Sequence, residues 1–389
     1  MPARASTAIV VGGGVFGLAA ALELRRRRWS VRLVEAEPIP GSQGASADVS
    51  KLVRMDYGSD GFMTALAELA IAGWDAWNAR WRRPLFHKDG ILFLSESPLV
   101  PGGFEHDSRA TVLGRAHVIQ DVDAALLEER FPAWNARRFG HGYLNPTAGW
   151  VESGEVVRLL ASDAHRAGVK VIRARVRALN EGPRGRPGIV TEDGAVHRAD
   201  ALVVAGGAWT PELVPSLGAV MTPVGQPVLH FRVAEPEAWR APAFLPWAAD
   251  IARTGWYGFP ALADGTVKVG HHGSGLGPPA AQGLDIPAAH VDRCRAFLAE
   301  ALPALAGAPL AACRVCPYCD TFDGDFWIAR DPSRPAVTVA SGGSGHGFKF
   351  APILGPLIAD AVEGRRNRWG ERFGWRAPGT KRWEDARLT

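Results

Sequence analysis

The run Ala8-Ile9-Val10-Val11-Gly12-Gly13-Gly14-Val15-Phe16-Gly17 constrains the fold of this chain more than any other segment. Four apolar residues suit a buried parallel strand, and the pattern Gly12-x-Gly14-x-x-Gly17 then allows a tight turn into a helix, predicted from Leu18 to Arg27. Backbone amides at such a helix N-terminus can face a pyrophosphate, and glycine lets the chain come close to it. A second apolar run, Val31 to Val34, ends in Glu35, about 20 residues past the turn, where a ribose-binding carboxylate belongs. The spacing predicts a βαβ dinucleotide unit and leaves FAD and NAD equally open.

At 389 residues the chain exceeds one ordinary core, so two domains are expected. Its 47% hydrophobic and 22% charged content is that of a globular protein. No apolar stretch approaches the ~20 residues of a membrane span, and Gly12 to Gly14 interrupt the early apolar run that a signal peptide would need. A cytoplasmic location without membrane association is the expectation. The net charge of +4 is small, and the run Arg25 to Arg28 falls at the end of the first helix, where cations complement the dipole, so no nucleic-acid partner is implied. Lysine is sparse, with Lys51, Lys88, Lys170, Lys268, Lys349 and Lys381 among 44 basic residues, as when a compact ammonium is kept for particular places.

Further along, a Trp-rich helical stretch (Leu66 to Trp81) precedes strand-like pieces such as Gly90 to Leu94. A helix is predicted from Ser153 to Ala167, strands at Val169 to Ala174 and Gly188 to Thr191, and a buried strand at Asp200 to Ala205 running into Gly206-Gly207-Ala208-Trp209. Val220 to Val315 reads as strands and turns with one helix near Ala288 to Leu302. A strand at Val337 to Ala340, the loop Ser344-Gly345-His346-Gly347-Phe348-Lys349-Phe350, and a helix from Pro352 to Val362 follow. There is no internal repeat and no low-complexity tract.

These segments, taken in order with Ser50-Lys51-Leu52-Val53-Arg54-Met55-Asp56-Tyr57, Tyr257-Gly258-Phe259-Pro260 and Lys268-Val269-Gly270-His271-His272, resemble the monomeric sarcosine oxidase and fructosyl amino acid oxidase (amadoriase) family of D-amino-acid-oxidase-like flavoproteins. The resemblance covers nearly the whole chain. It implies an α/β fold, α+β overall, with a Rossmann-like FAD-binding domain (1–83, 148–220 and 321–389) and a mainly antiparallel-sheet substrate domain (84–147 and 221–320), both discontinuous. For the cofactor it implies contacts from Gly12, Gly14, Val15, Phe16, Gly17, Glu35 and Ala36, from Ser50, Lys51 and Val176, and from Gly206 and Trp209. Gly343, Gly345, His346, Gly347, Phe348 and Lys349 complete that set. It also implies a smaller protein acting as a monomer.

Cys313-x-x-Cys316-x-x-Cys319, with Cys294, has spacing compatible with zinc or an iron–sulfur cluster. Against this, Arg314 to Thr321 reads as a strand, and the resemblance places at Cys316 the cysteine that carries FAD as a covalent thioether, in the order Cys316, Tyr318, Thr321, Asp323. No metal is expected.

The resemblance further assigns Arg54 and Lys349 to a substrate carboxylate, Lys268 to the activation of dioxygen, and His272, Tyr257 and Tyr318 to the substrate cavity. Each has a plainer reading. Arg54 could pair with Asp56, alternation in Val267-Lys268-Val269 would point the lysine to solvent, and His346 could be structural. Lys51, with Arg54, Asp56 and Tyr57, gives the Lys-x-x-Arg-x-Asp-Tyr form of the fructosyl amino acid oxidases, where sarcosine oxidases carry arginine at the Lys51 place. The expected activity is oxidation of a secondary amine bearing a carboxylate, whether sarcosine-like, Amadori-type or cyclic, to an imine that hydrolyses, with dioxygen reduced to hydrogen peroxide. A dehydrogenase or desaturase of a cyclic imino acid is the alternative, and a noncatalytic metal- or nucleotide-binding protein is a third.

Overall fold

The computed structural model describes residues 5–277 and 286–380. The chain divides into two compact units, each sewn from separate stretches. Unit 1 holds the described residues of Met1–Val49, Glu152–Val224 and Pro317–Arg382, and unit 2 those of Ser50–Val151 and Gly225–Cys316.

Unit 1 is built on a six-stranded sheet in the order Trp327–Asp331, Arg334–Ser341, Ala201–Val204, Thr7–Val11, Ser30–Glu35, Lys170–Arg173. The five strands from Arg334–Ser341 onward are parallel, and Trp327–Asp331 closes one edge as an antiparallel hairpin. Val10 lies in register with Val203 on one side and Leu33 on the other. Such strands are buried on both faces, which is why they read as continuous apolar runs. The first helix, Val15–Arg26, begins three residues earlier than its apolar pattern suggests, because the glycine turn leads straight into it. It buries Leu18, Ala20, Ala21 and Leu24 and packs against the helices Ala351–Glu363 and Ser153–Arg166. A smaller sheet, Val176–Glu181, Pro187–Thr191 and Val196–Arg198, completes the unit.

Unit 2 contains an eight-stranded sheet in the order Leu310–Thr321, Met221–Arg232, Thr266–His271, Trp256–Gly258, Trp247–Ala249, Ile91–Ser95, His141–Asn145, Gln120–Asp123, the first two strands continuing into unit 1 segments. The ladders from Met221–Arg232 onward are antiparallel except where Trp247–Ala249 runs parallel to Ile91–Ser95. Its core gathers Phe231, Trp247, Val267, Val269 and Leu298.

The unit boundaries differ from the sequence expectation by four residues at 148–151, 221–224 and 317–320, and by a whole segment at 50–83. Residues 50–83 fall in unit 2, not with the nucleotide-binding segments, because Lys51–Val53 pairs antiparallel with Gly149–Val151 and the helix Gly61–Trp81 packs on the strand Phe86–His87 and the helix Phe104–Gly114. Trp-rich amphipathicity identified that helix but carries no information about its partner. The segments 1–4 and 381–389, Lys381 included, lie outside the described residues.

Candidate active site

The glycine turn of unit 1 is shaped by close approach. Gly12 has φ +105°, and a Cβ there would meet the Ala205 carbonyl oxygen at 2.3 Å; one at Gly17 would meet the Gly12 oxygen at 1.9 Å. The helix that follows has Gly14 as its N-cap, with no side-chain cap and no acidic residue in its first turn, so its positive end is left for an anion. The Val15 amide donates to Ser46 Oγ at 3.1 Å. Glu35, at the end of the second strand, accepts from the Gly13 amide at 2.5 Å and from the Glu37 amide at 3.1 Å, which fixes its carboxylate beside the turn, with Ala36 half-buried next to it.

The loop after Arg334–Ser341 reaches this turn across some 330 residues of chain. The Phe16 ring lies 3.6 Å from where a Cβ would stand on Gly343 and 3.0 Å from one on Gly347. The loop is pinned by Ser344, whose amide donates to the Cys319 carbonyl at 3.0 Å and whose Oγ accepts from the Thr321 amide at 3.1 Å. Gly345, at φ +76°, leaves no room for a Cβ, which would sit 2.2 Å from the Tyr318 ring. His346 stacks on Phe326 at 5.1 Å, with Nε2 2.9 Å from the Gly324 carbonyl. Lys349 is buried beside Phe348 and donates to the His346 carbonyl at 3.2 Å. Gly206 and Trp209 follow the strand Ala201–Val204, and Thr210 Oγ1 ties that turn to Ser341 Oγ at 2.9 Å. Val176 is half-buried and packs on the apolar core of this unit.

In unit 2 the simple alternation reading of Lys268 fails. Val267 and Val269 enter the core as expected, yet Lys268 is also fully buried, because the opposite face of this strand is covered too. Its ammonium donates to the Ser50 carbonyl at 2.6 Å and lies 4.4 Å from the Phe259 ring centroid. On that face the Tyr257 ring lies across Gly270, 2.5 Å from where a Cβ would stand, and half-buried His272 follows. Lys51 Nζ is 3.5 Å from Cys316 Sγ, which is buried, and the buried Ser50 Oγ has no protein partner. Strand pleating puts Cys313 and Cys319 on the face opposite to Cys316, so the three thiols cannot converge on one ion. Cys294 packs in the core of unit 2, where burial pushes its thiol up to about 12.

Arg54 does not pair with Asp56. Its guanidinium sits among the rings of Tyr57, Phe104 and Phe93, at 5.1, 5.6 and 5.8 Å, with Nη1 buried and unpartnered. Asp56, wholly buried, accepts from Tyr143 Oη and Asn145 Nδ2, each at 3.0 Å. Burial raises its carboxyl above the ordinary range against the pull of Arg54 and those two donors. Tyr143, Asn145, Ser46 and Phe259 were not singled out from sequence. The i, i+2 spacing of Tyr143 and Asn145 puts them on one strand face, but nothing local names the carboxylate that they meet.

The glycine cradle, the helix start behind it and Glu35 fit an FAD dinucleotide. Residues 7–361 match the FAD dependent oxidoreductase (DAO) family. The chain belongs to that family. Among curated members, it is 29% identical over 363 residues to N-methyl-L-tryptophan oxidase from Salmonella newport, with 92% of this chain and 94% of the relative covered. It is 26% identical over 357 residues to monomeric sarcosine oxidase from a Bacillus species, with 90% of each covered. In fold it is similar to fructosamine oxidase (amadoriase II) from Aspergillus fumigatus, with TM-score 0.84 at 24% identity, covering 95% of this chain and 89% of that one. This family membership makes the chain an FAD-dependent oxidoreductase, and the Rossmann-like unit with its antiparallel companion is the fold expected from sequence. Among the described residues no helix is long and apolar enough to cross a membrane.

Proposed function

We propose that this FAD-dependent oxidoreductase is an oxidase of secondary amines that carry a carboxylate. It would yield an imine, hydrolysed by water, and pass the electrons to dioxygen as hydrogen peroxide. The observation that carries the reading is the wholly buried Lys268 ammonium on a strand face shared with Tyr257 and followed by His272. Burying a cation costs several kcal/mol, so a role in stabilising charge accounts for its place better than packing does. Relatives that act, by name, on sarcosine and on N-methyl-L-tryptophan support an N-substituted amino acid as the substrate class.

When bound, FAD supplies the two-electron acceptor for the C–N bond. The protein's part is to hold the amine, exclude water and place charge. Arg54 presents an open guanidinium edge to the carboxylate, and Lys349 is the second cation assigned to that anion. Tyr257, Tyr318 and His272 supply walls. Lys268 offers fixed positive charge to the negative charge that develops on dioxygen. The buried Cys316 thiol is the attachment point we assign to the flavin, with the Lys51 ammonium 3.5 Å from its sulfur. A monomer in the cytoplasm is the accompanying expectation.

Lys268→Met is the decisive variant against the dehydrogenase alternative. In stopped flow, reoxidation of the reduced enzyme by dioxygen should slow by orders of magnitude while anaerobic reduction by substrate changes little. Equal reoxidation rates in variant and wild type would exclude the oxygen role. For the thioether, yellow colour should stay with acid-precipitated protein, and the Cys316 peptide should carry the FAD mass. Colour released entirely to the supernatant would reject the covalent link while retaining FAD.

A further inference from the structure

Arg54 and Asp56 are two residues apart, oppositely charged and close enough for the guanidinium to pull the carboxyl's titration downward, yet they form no ion pair. Ordinarily a buried carboxylate takes a nearby guanidinium in a two-pronged bridge. Here both prongs of Asp56 are already taken. Tyr143 Oη donates to Oδ1 and Asn145 Nδ2 to Oδ2, each at 3.0 Å. Neither donor is free to drift. Tyr143 is clamped by stacking on Phe93 at 5.0 Å and 18°, and Asn145 is oriented by its own Oδ1, which accepts from the Thr147 amide at 3.1 Å and from Thr147 Oγ1 at 2.7 Å. Tyr143, Asn145 and Asp56 are all wholly buried. Arg54 is left stacked among three rings with Nη1 unpartnered.

We infer that Tyr143 and Asn145 are positioning residues that occupy Asp56 so that the Arg54 fork stays open for a substrate carboxylate. The inference rests on the reading of Arg54 as the carboxylate anchor. Asp56 supplies the countercharge that lets a guanidinium sit in an aromatic setting, and the two neutral donors keep that countercharge from closing on it. Besides its own backbone amide, this carboxylate has one neutral side-chain donor per oxygen, so removing either leaves an unmet demand that Arg54 is near enough to fill. The consequence is a specificity device: losing Tyr143 or Asn145 turns the anchor into an internal salt bridge, and affinity for anionic ligands falls while neutral ligands are unaffected.

The test uses the flavin-loaded enzyme and reads the visible flavin spectrum during titration with acetate, with acetamide as the uncharged control. Tyr143→Phe keeps the ring stack and removes only the hydroxyl. It should weaken acetate binding about tenfold, the scale of one lost charge-assisted hydrogen bond, and leave acetamide unchanged. Asn145→Ala should do the same, which keeps the idea testable if one variant folds poorly. The double variant Tyr143→Phe/Asp56→Asn should bind acetate within about threefold of wild type, because an amide cannot form the bridge. A merely structural loss would not be rescued this way. Arg54→Met serves as the control for the anchor itself. If it leaves acetate binding intact, the carboxylate reading falls and this inference with it. If Arg54→Met weakens acetate but the Tyr143 and Asn145 variants do not, or if Asp56→Asn gives no rescue, the positioning role alone is wrong.

Discussion

Burial acts on individual side chains here in ways that a residue's type alone does not forecast. His271 and His290 are the clearest titrating pair. Burial and the charge of the facing His290, together with Arg293, bring His271 down to about 4, although its hydrogen bond to the Thr254 carbonyl pulls the other way. Burial, then Arg293, whose guanidinium lies 2.7 Å from Nδ1, brings His290 to about 4 as well. The rings stand 5.2 Å apart. Both must therefore stay neutral in the folded protein, while the unfolded chain takes up a proton on each near pH 6.5. The unfolded state thus binds more protons between about pH 6.5 and 4, and folding stability falls as pH drops through that window. Denaturant titrations at pH 7, 6 and 5 should show this decline, and His290→Gln should flatten it; an unchanged slope would mean that other groups set the acid response. Lys268 is the counterpart among cations. Its strand position was legible, but the cover over its second face is a tertiary fact that alternation cannot contain.

The packing of elements explains what the arginine run at the end of the first helix does. Arg27 reaches Asp360 at 2.7 Å and Glu363 at 2.8 Å on the helix Ala351–Glu363, and Glu23 within its own helix at 2.8 Å. Trp29 Nε1 adds a bond to Glu363 at 3.0 Å. The run was legible as a helix terminus that complements its dipole. The cross-link to a helix more than 300 residues away was not, since no local pattern marks it. Burial raises the Glu363 carboxyl, but the hydrogen bonds from Trp29 and Arg27 outweigh it and leave the group below its ordinary range; Glu23 is likewise depressed on balance, burial being outweighed by Arg26 and Arg27. A depressed carboxyl lends stability that is full above its unfolded value near pH 4.3 and is lost as pH falls through the folded value. Arg27→Met should cost a few kcal/mol at pH 7, toward the low side of the roughly 3–5 kcal/mol for breaking a buried ion pair because these groups are not fully buried, and the gap from wild type should narrow below about pH 4. Calorimetry across pH 3 to 7 checks both the size and the convergence.

Across the whole molecule, the parts most visible in the sequence are those with a backbone signature. The glycine turn, the parallel strands and the helices after Ser153 and Ala351 were each legible within a few residues, because apolar period and glycine placement act locally. Residues 50–83 group with unit 2, where the decisive ladder is Lys51–Val53 with Gly149–Val151, a pairing between segments about 100 residues apart that no local pattern marks. The roles proposed for Arg54 and Lys268 rest on family resemblance, whereas their surroundings, an aromatic cage in one case and a sealed strand face in the other, needed the assembled unit. Unit 1 takes its central strand from Thr7–Val11 and its neighbouring strands and closing helix from as far along as Ala351–Glu363. A ribosome making this protein would therefore finish every main segment of unit 2 by Cys316 while the first helix still waited for Ala351–Glu363 and the strand Ala201–Val204 for its neighbour Arg334–Ser341. Completion of the nucleotide-binding unit becomes a late event in biogenesis, reached only once nearly all of the chain has been translated.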